Sequence, residues 1–339
     1  MQLTFEQIRS LTTGAVRIQE ENDGIHFYRF TKEQEDMFLP RDQKFYNKTF
    51  STPGIRLRFL TDSRNLGIRF SASYASPRSF FALDLSVNGT FLESVDNFSR
   101  KAPKENYGNL EYPYGVFSKS WELGEGEKEV CIYLPWSVKF VLEELSLDDG
   151  ATLTPVIPAK KALCFGDSIT HGADALYPRS RYISQFCDYL GAAEYCKAIC
   201  GETFWPELAT TKEPFEPDYI VVAYGTNDWN RHCAHDLTEH CFGFYGNLTK
   251  TYPNTKLIAI SPTWRGDQKE KNRELPLTMV HDLICDALKD NPNAVVLRGY
   301  DLVPHDISYF ADIRLHPNDL GFDEYYENLV KEYEKRIAK

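Results

Sequence analysis

From Lys161 onward the chain alternates short apolar runs with longer stretches of helical period, and this rhythm constrains the fold more than any other feature. The runs are ALCFG (162–166), AEYCKAI (193–199), DYIVVAYG (218–225), KLIAISP (256–262) and NAVVLRG (293–299). Helical periods are predicted at Arg181–Leu190, Leu237–Thr251, Glu274–Asp290 and Leu320–Ile337. A strand, a helix and another strand repeated in this way predict an α/β unit: a parallel sheet with helices on both faces. In such a sheet the ligand site lies at the carboxyl ends of the strands, so chemistry is sought there.

The first half has a different period. IRLRFL (55–60) alternates apolar and basic residues, as a half-buried strand does. LGIRFSASY (66–74) follows, and FFALDLSV (80–87) leads through the turn pair Asn88-Gly89 into TFLESV (90–95), a hairpin signal. VFSKSWEL (116–123), KEVCIYLPW (128–136) and KFVLEELSL (139–147) complete a set of short strands. Such a set predicts an antiparallel β-sandwich over 1–150. A linker with two prolines follows at 151–160, and the α/β unit occupies 161–339.

The 339 residues are enough for two domains that need no disulfide or structural metal. A net charge of −11 disfavours nucleic acid or an anionic membrane as a partner. No run approaches the roughly 18 apolar residues of a membrane span, and MQLTFEQIRS lacks the pattern of a secretory signal. A cytoplasmic location is therefore expected, with the eight cysteines as free thiols. A homo-oligomer is compatible with the sequence.

The first three strand ends each carry a chemically useful residue. The first run ends in Gly166-Asp167-Ser168, the second leads to Gly201, and the third ends in Gly225-Thr226-Asn227-Asp228. Before the last helix comes Asp312-Ile313-Arg314-Leu315-His316-Pro317. Acyl transfer wants this set. A serine hydroxyl needs a base to take its proton, and neutral imidazole is suited to that. The tetrahedral oxyanion needs preorganised donors, which the N–H groups of Ser168 and Gly201 and the amide of Asn227 can supply. Taken alone, Ser168 also fits a helix N-cap. Asp167 reads as a structural hydrogen-bonding residue, and Asp228 as a brace under Asn227 or a cap.

With GDS at Ser168, the isolated Gly201, GTND at Asn227 and the late His316-Pro317, residues from about 161 to 339 resemble the SGNH, or GDSL-type, hydrolases. The resemblance implies a flavodoxin-like sheet, a Ser168 nucleophile, a His316 base and an oxyanion hole of Ser168, Gly201 and Asn227, with no cofactor and no metal. The family's last block usually has an aspartate three residues before its histidine. Here position 313 is Ile and the aspartate is Asp312, four residues before. A helical turn would still bring Asp312 to the imidazole. An extended segment would leave Asp319 or a backbone carbonyl to orient the ring. The β-rich first half resembles the jelly-roll domain that precedes this unit in two-domain carbohydrate acetyl esterases. The implied activity is a serine esterase that removes small acyl groups from a small-molecule or oligosaccharide ester. The alternatives are a lipid esterase, thioesterase or acyltransferase with the same Ser–His chemistry, and an inert glycan-binding protein.

Trp229, Trp264, Arg265 and Tyr177 are candidates for substrate contact, with core packing the competing reading for each aromatic. His232, Cys233, His235, His240 and Cys241 bring metal-ligating side chains into eleven residues, but a helix would separate His240 from Cys241 by about 100°. A polar loop and helix start are the expectation there. His26 is expected at the surface, Trp121 and Trp136 in the core. The sandwich is expected to form one wall of the cleft.

Overall fold

A computed structural model describes residues 1–98, 110–270 and 273–337. The β-rich half contains β1 (Thr12–Thr13), β2 (Arg17–Glu21), β3 (Gly24–Tyr28), β4 (Arg56–Thr61), β5 (Asn65–Tyr74), β6 (Ala82–Val87), β7 (Thr90–Asp96), β8 (Gly115–Glu122), β9 (Lys128–Tyr133) and β10 (Val138–Leu147). β11 (Thr154–Pro155), inside the predicted linker, pairs with β4. The strands form two antiparallel sheets, ordered β1-β4-β9-β6-β7 and β2-β3-β10-β5-β8. Their inner faces bury one core that includes Leu57, Phe59, Phe70, Leu85, Trp121 and Phe140. Asn88 and Gly89 both take positive φ, the geometry of a tight hairpin between β6 and β7.

This half also holds three helices that the strand pattern did not predict: α1 (Phe5–Leu11), α2 (Lys32–Arg41) and α3 (Gln43–Lys48). Thr4 with Gln7 and Thr31 with Gln34 form capping boxes that start α1 and α2.

The second half contains β12 (Lys160–Gly166), α4 (Ser168–His171), α5 (Tyr182–Tyr189), β13 (Ala192–Cys196), β14 (Tyr219–Ala223), α6 (Thr226–Arg231) and α7 (Ala234–Thr251). It continues through β15 (Lys256–Ile260), α8 (Met279–Leu288), β16 (Ala294–Leu297) and α9 (Asp319–Ile337). The sheet is wholly parallel, in the order β13-β12-β14-β15-β16. On one face Phe165, Val222 and Ala259 pack against Leu237, Phe244 and Leu248 of α7 and Ile284 of α8. On the other, Cys164, Val221 and Ile258 pack against Ile183 and Phe186 of α5 and Phe322 and Leu329 of α9. Among the described residues no helix is long and apolar enough to cross a membrane.

The two halves share buried structure. Phe30 and Phe38 belong to the core over the α7 face rather than to the sandwich. Arg29, almost fully buried, donates to the carbonyls of Lys48, Ser51, Cys196 and Ala198 and to Ser51 Oγ, at 2.7–3.1 Å. Trp136 donates its indole N–H to Ala175 O at 2.8 Å. The His171 ring lies between Ser51 Oγ and Trp136 O, each 3.0 Å from Nε2, while Nδ1 accepts from the Cys200 N–H. Burial drives its pKa well down, so this histidine is a neutral strut. His26 departs from expectation: it is buried on β3, with Asp23 2.8 Å from Nε2, because β10 covers that strand.

Candidate active site

Ser168, Gly201 and Asn227 follow the carboxyl ends of β12, β13 and β14, three neighbours in the sheet. Asp167 caps α4, its Oδ1 accepting from the Ile169 N–H, so Ser168 is the first helical residue and not the cap. Gly201 has φ +88, a conformation that favours glycine. Asn227, the second residue of α6, lines the site and donates one amide N–H to Glu202 O at 2.9 Å; among the described residues its second amide N–H has no protein partner. Asp228 braces the two loops by accepting the Phe204 N–H at 3.0 Å. Burial pushes the Asp228 carboxyl up to about 7 and that of Asp167 up to about 6.

The loop before α9 brings in the histidine. His316 Nε2 lies 2.8 Å from Ser168 Oγ, and its Nδ1 lies 2.8 Å from Asp312 Oδ2. The segment is not a helical turn. Asp312 Oδ1 accepts the N–H groups of Arg314, Leu315 and His316, and these three bonds curl the chain back over its own carboxylate. Ile313 is left at φ +53, strained for a β-branched residue. Asp312 thus reaches the imidazole across a four-residue spacing by a side-chain-centred turn. Burial raises the Asp312 carboxyl, but the hydrogen bond and charge of His316, with the backbone donors, outweigh it and hold the group far below the ordinary range. Asp319 lies instead against the backbone N–H groups of Leu176 and Tyr177.

Among the described residues, the N–H groups of Ser168 and Gly201 have no protein partner, which leaves both free to face an oxyanion. The peptides on both sides of Gly201 are held in place. Lys48, from α3, donates to Cys200 O at 2.7 Å, and Arg231, from α6, donates to Gly201 O at 2.6 Å.

A cavity of about 370 Å³ opens over this group. The β-rich half supplies Lys48, Pro77 and Arg78 to its wall, as expected of that half. Arg265 also lines it, clamped by Asp267 through two bonds and by Thr226. The aromatic candidates lie elsewhere. Trp229 is buried and donates its indole N–H to Leu275 O, because α6 turns it inward. Trp264 stacks on His305 and leans on Phe310, and Tyr177 packs against Phe91 and Phe98. Sequence reasoning missed Asp174, held by Arg78 through bonds of 2.5 and 2.9 Å, with its Oδ2 3.5 Å from His316 Nδ1. Lys48, Arg78, Arg231 and Arg314 were missed too, since no local pattern marks residues so far apart.

The candidate metal segment does not converge as a whole. Cys233 caps α7, His235 is exposed, and Cys241 is buried in the core. His240 sets its ring edge-on to His232 at 5.0 Å, and Asp228, outside the predicted set, brings a ligand atom within 4.8 Å of both.

Residues 164–323 match the model of the GDSL-like Lipase/Acylhydrolase family. No curated protein matches the sequence. Solved structures match across nearly the whole chain at low identity, which shows a shared fold. A salicylyl-acyltransferase, SsfX3, from a tetracycline biosynthetic pathway is 20% identical, with a TM-score of 0.77 over 96% of this chain and 94% of that one. A candidate GDSL-like lipase from Bacteroides ovatus is 18% identical, with a TM-score of 0.76 over 100% and 98%. A carbohydrate esterase family 2 enzyme from Corynascus thermopiles is 18% identical, with a TM-score of 0.60 over 85% and 95%. Residues 164–323, which hold Ser168, Gly201, Asn227, Asp312 and His316 in one site, form a domain of the GDSL-like lipase/acylhydrolase family.

Proposed function

We propose that the protein is a serine ester hydrolase that removes short acyl groups, acetyl foremost, from hydroxyls of a polar, carbohydrate-like alcohol. The observation that carries this reading is the unbroken relay Asp312–His316–Ser168, with both links at 2.8 Å. Asp312 holds the Nδ1–H tautomer, so Nε2 is free to accept the Ser168 proton. Ser168 Oγ attacks the ester carbonyl, and the N–H groups of Ser168 and Gly201 with the Asn227 amide take the oxyanion. His316 returns the proton to the departing alcohol as the acyl-serine forms. It then takes a proton from water, which attacks the acyl carbon, and returns that proton to Ser168 Oγ as the acyl–oxygen bond breaks and the acid leaves.

The cavity supports a short acyl group. Its apolar lining is limited to Pro77, Ala173, Cys200 and Leu315, too little for a long hydrocarbon chain. Its many N–H donors support a polar alcohol.

The test is hydrolysis of aryl acetate, butyrate and octanoate by the wild type and Ser168→Ala, followed by acetate release from acetylated oligosaccharides. Turnover that favours acetate and is lost in the variant is expected. A profile rising toward octanoate contradicts the short-acyl reading, and full activity in Ser168→Ala contradicts the mechanism.

A further inference from the structure

The chain has a net charge of −11, yet the cavity beside Ser168 is lined by five cationic side chains and by no carboxylate. Two of the five are already neutralised, Arg78 by Asp174 and Arg265 by Asp267, each through paired bonds. Arg314, half-exposed, is paired more loosely, with Asp267 and Asp312 at 3.5 and 3.6 Å. The remaining two have no such partner. Arg231 and Lys48 each spend one N–H on a main-chain carbonyl, and among the described residues neither has a carboxylate within ion-pair distance. Lys48 is buried, 4.3 Å above the Phe45 ring. A buried ammonium without a counter-charge is costly. Arg231 retains four of its five N–H donors for a ligand and Lys48 two of its three, by the count of their donors.

We infer that the substrate supplies the missing counter-charge: it is an ester that also carries a carboxylate or phosphate group, which Lys48, Arg231 and Arg314 receive beside the acylated oxygen. This deepens the esterase reading and rests on it. An acylated sugar acid or sugar phosphate has the required chemistry. The guanidinium groups offer planar paired donors that suit either anion, and Lys48 adds a point charge.

The experiment compares kcat/KM within matched ester pairs. Phenyl acetate is set against 3-carboxyphenyl acetate and its 3-phosphate counterpart, which separate the two anions on the alcohol side. 4-Nitrophenyl butyrate is set against the 4-nitrophenyl monoester of succinate, which places the anion on the acyl side. At least one anionic ester is expected to exceed its neutral partner by about tenfold, the size of one charge-assisted hydrogen bond. That ratio should collapse toward one in Arg231→Gln and Lys48→Met, survive in Arg231→Lys, and shrink with added salt. Using a ratio removes any general loss from a disturbed oxyanion loop.

A wild-type ratio of one or below for every pair overturns the inference, as does a ratio that both neutralising variants leave unchanged. If no ester turns over, the esterase reading fails separately. Calorimetry with 3-hydroxybenzoate, 3-hydroxyphenyl phosphate and phenol then decides the anion site. Binding of an anion over phenol that Arg231→Gln weakens upholds the site, and equal binding of all three overturns it.

Discussion

Replacing Asp312 with asparagine probes the relay without dismantling the loop. Asn Oδ1 can still accept the N–H groups of Arg314, Leu315 and His316 that shape the turn. What changes is the group facing His316 Nδ1. An amide N–H there favours the tautomer with its proton on Nε2, which cannot accept from Ser168. In a serine triad this substitution lowers kcat by about ten-thousand-fold, roughly 5.5 kcal/mol. Here a second carboxylate, Asp174, stands 3.5 Å from the same nitrogen and retains part of the preference. Asp312→Asn is therefore expected to lose about 10²–10³-fold, and Asp174→Asn alone about threefold, since Asp312 is then intact. Asn tolerates the positive φ of residue 174. The double variant should fall by the full ten-thousand-fold, more than the product of the singles by about tenfold, a coupling of roughly 1.4 kcal/mol. The assay is kcat on an aryl acetate at neutral pH, with circular dichroism to verify folding. Asp312→Asn within threefold of wild type, or singles that multiply to the double, would refute the reasoning.

Three other outcomes follow from the same geometry. Asn227→Ala removes one oxyanion donor and should lower kcat by about 10²–10³-fold with little change in KM, read by steady-state kinetics. Arg29→Met leaves the carbonyls of Lys48, Ser51, Cys196 and Ala198 without their buried donor and should cost roughly 3–5 kcal/mol, read by denaturant titration. The Asp228 carboxyl rises from 3.8 to about 7 in the folded state, so the folded protein holds a proton the unfolded chain has released. Its contribution to stability is thus complete below about pH 4 and is lost as pH rises through about 7, worth up to roughly 4 kcal/mol. Asp228→Asn should therefore gain stability relative to wild type between pH 4 and 8. A difference that stays flat across that range contradicts the assignment.

The sheet and its chemistry were legible because each is written locally. β12, β14 and β15 are continuous apolar runs that end in small or polar residues, so the strand ends could be located along with Ser168 and Asn227. The helices α2 and α3 were missed because the β period of their neighbours dominated the reading. The Thr31–Gln34 capping box was the available signal. Trp229 misled because it follows a strand end directly, yet the helical twist of α6 carries its ring into the core. Asp312 was reached by an argument about helical spacing, whereas a turn organised by its own carboxylate places it. Arg78 and Lys48 were invisible, since they meet the site only through the packing of two halves far apart in sequence, and Asp174, six residues after Ser168, belongs to no motif that marks it.

The central claim is a covalent acyl-serine at Ser168. The direct measurement is rapid-quench mass spectrometry of the protein mixed with 4-nitrophenyl acetate, followed by mapping of the modified peptide. The account predicts one acetyl group per chain, formed within a single turnover on the peptide that contains Ser168, and its absence in Ser168→Ala. Turnover without any acylated peptide, or an acetyl group that survives Ser168→Ala together with full activity, would contradict it.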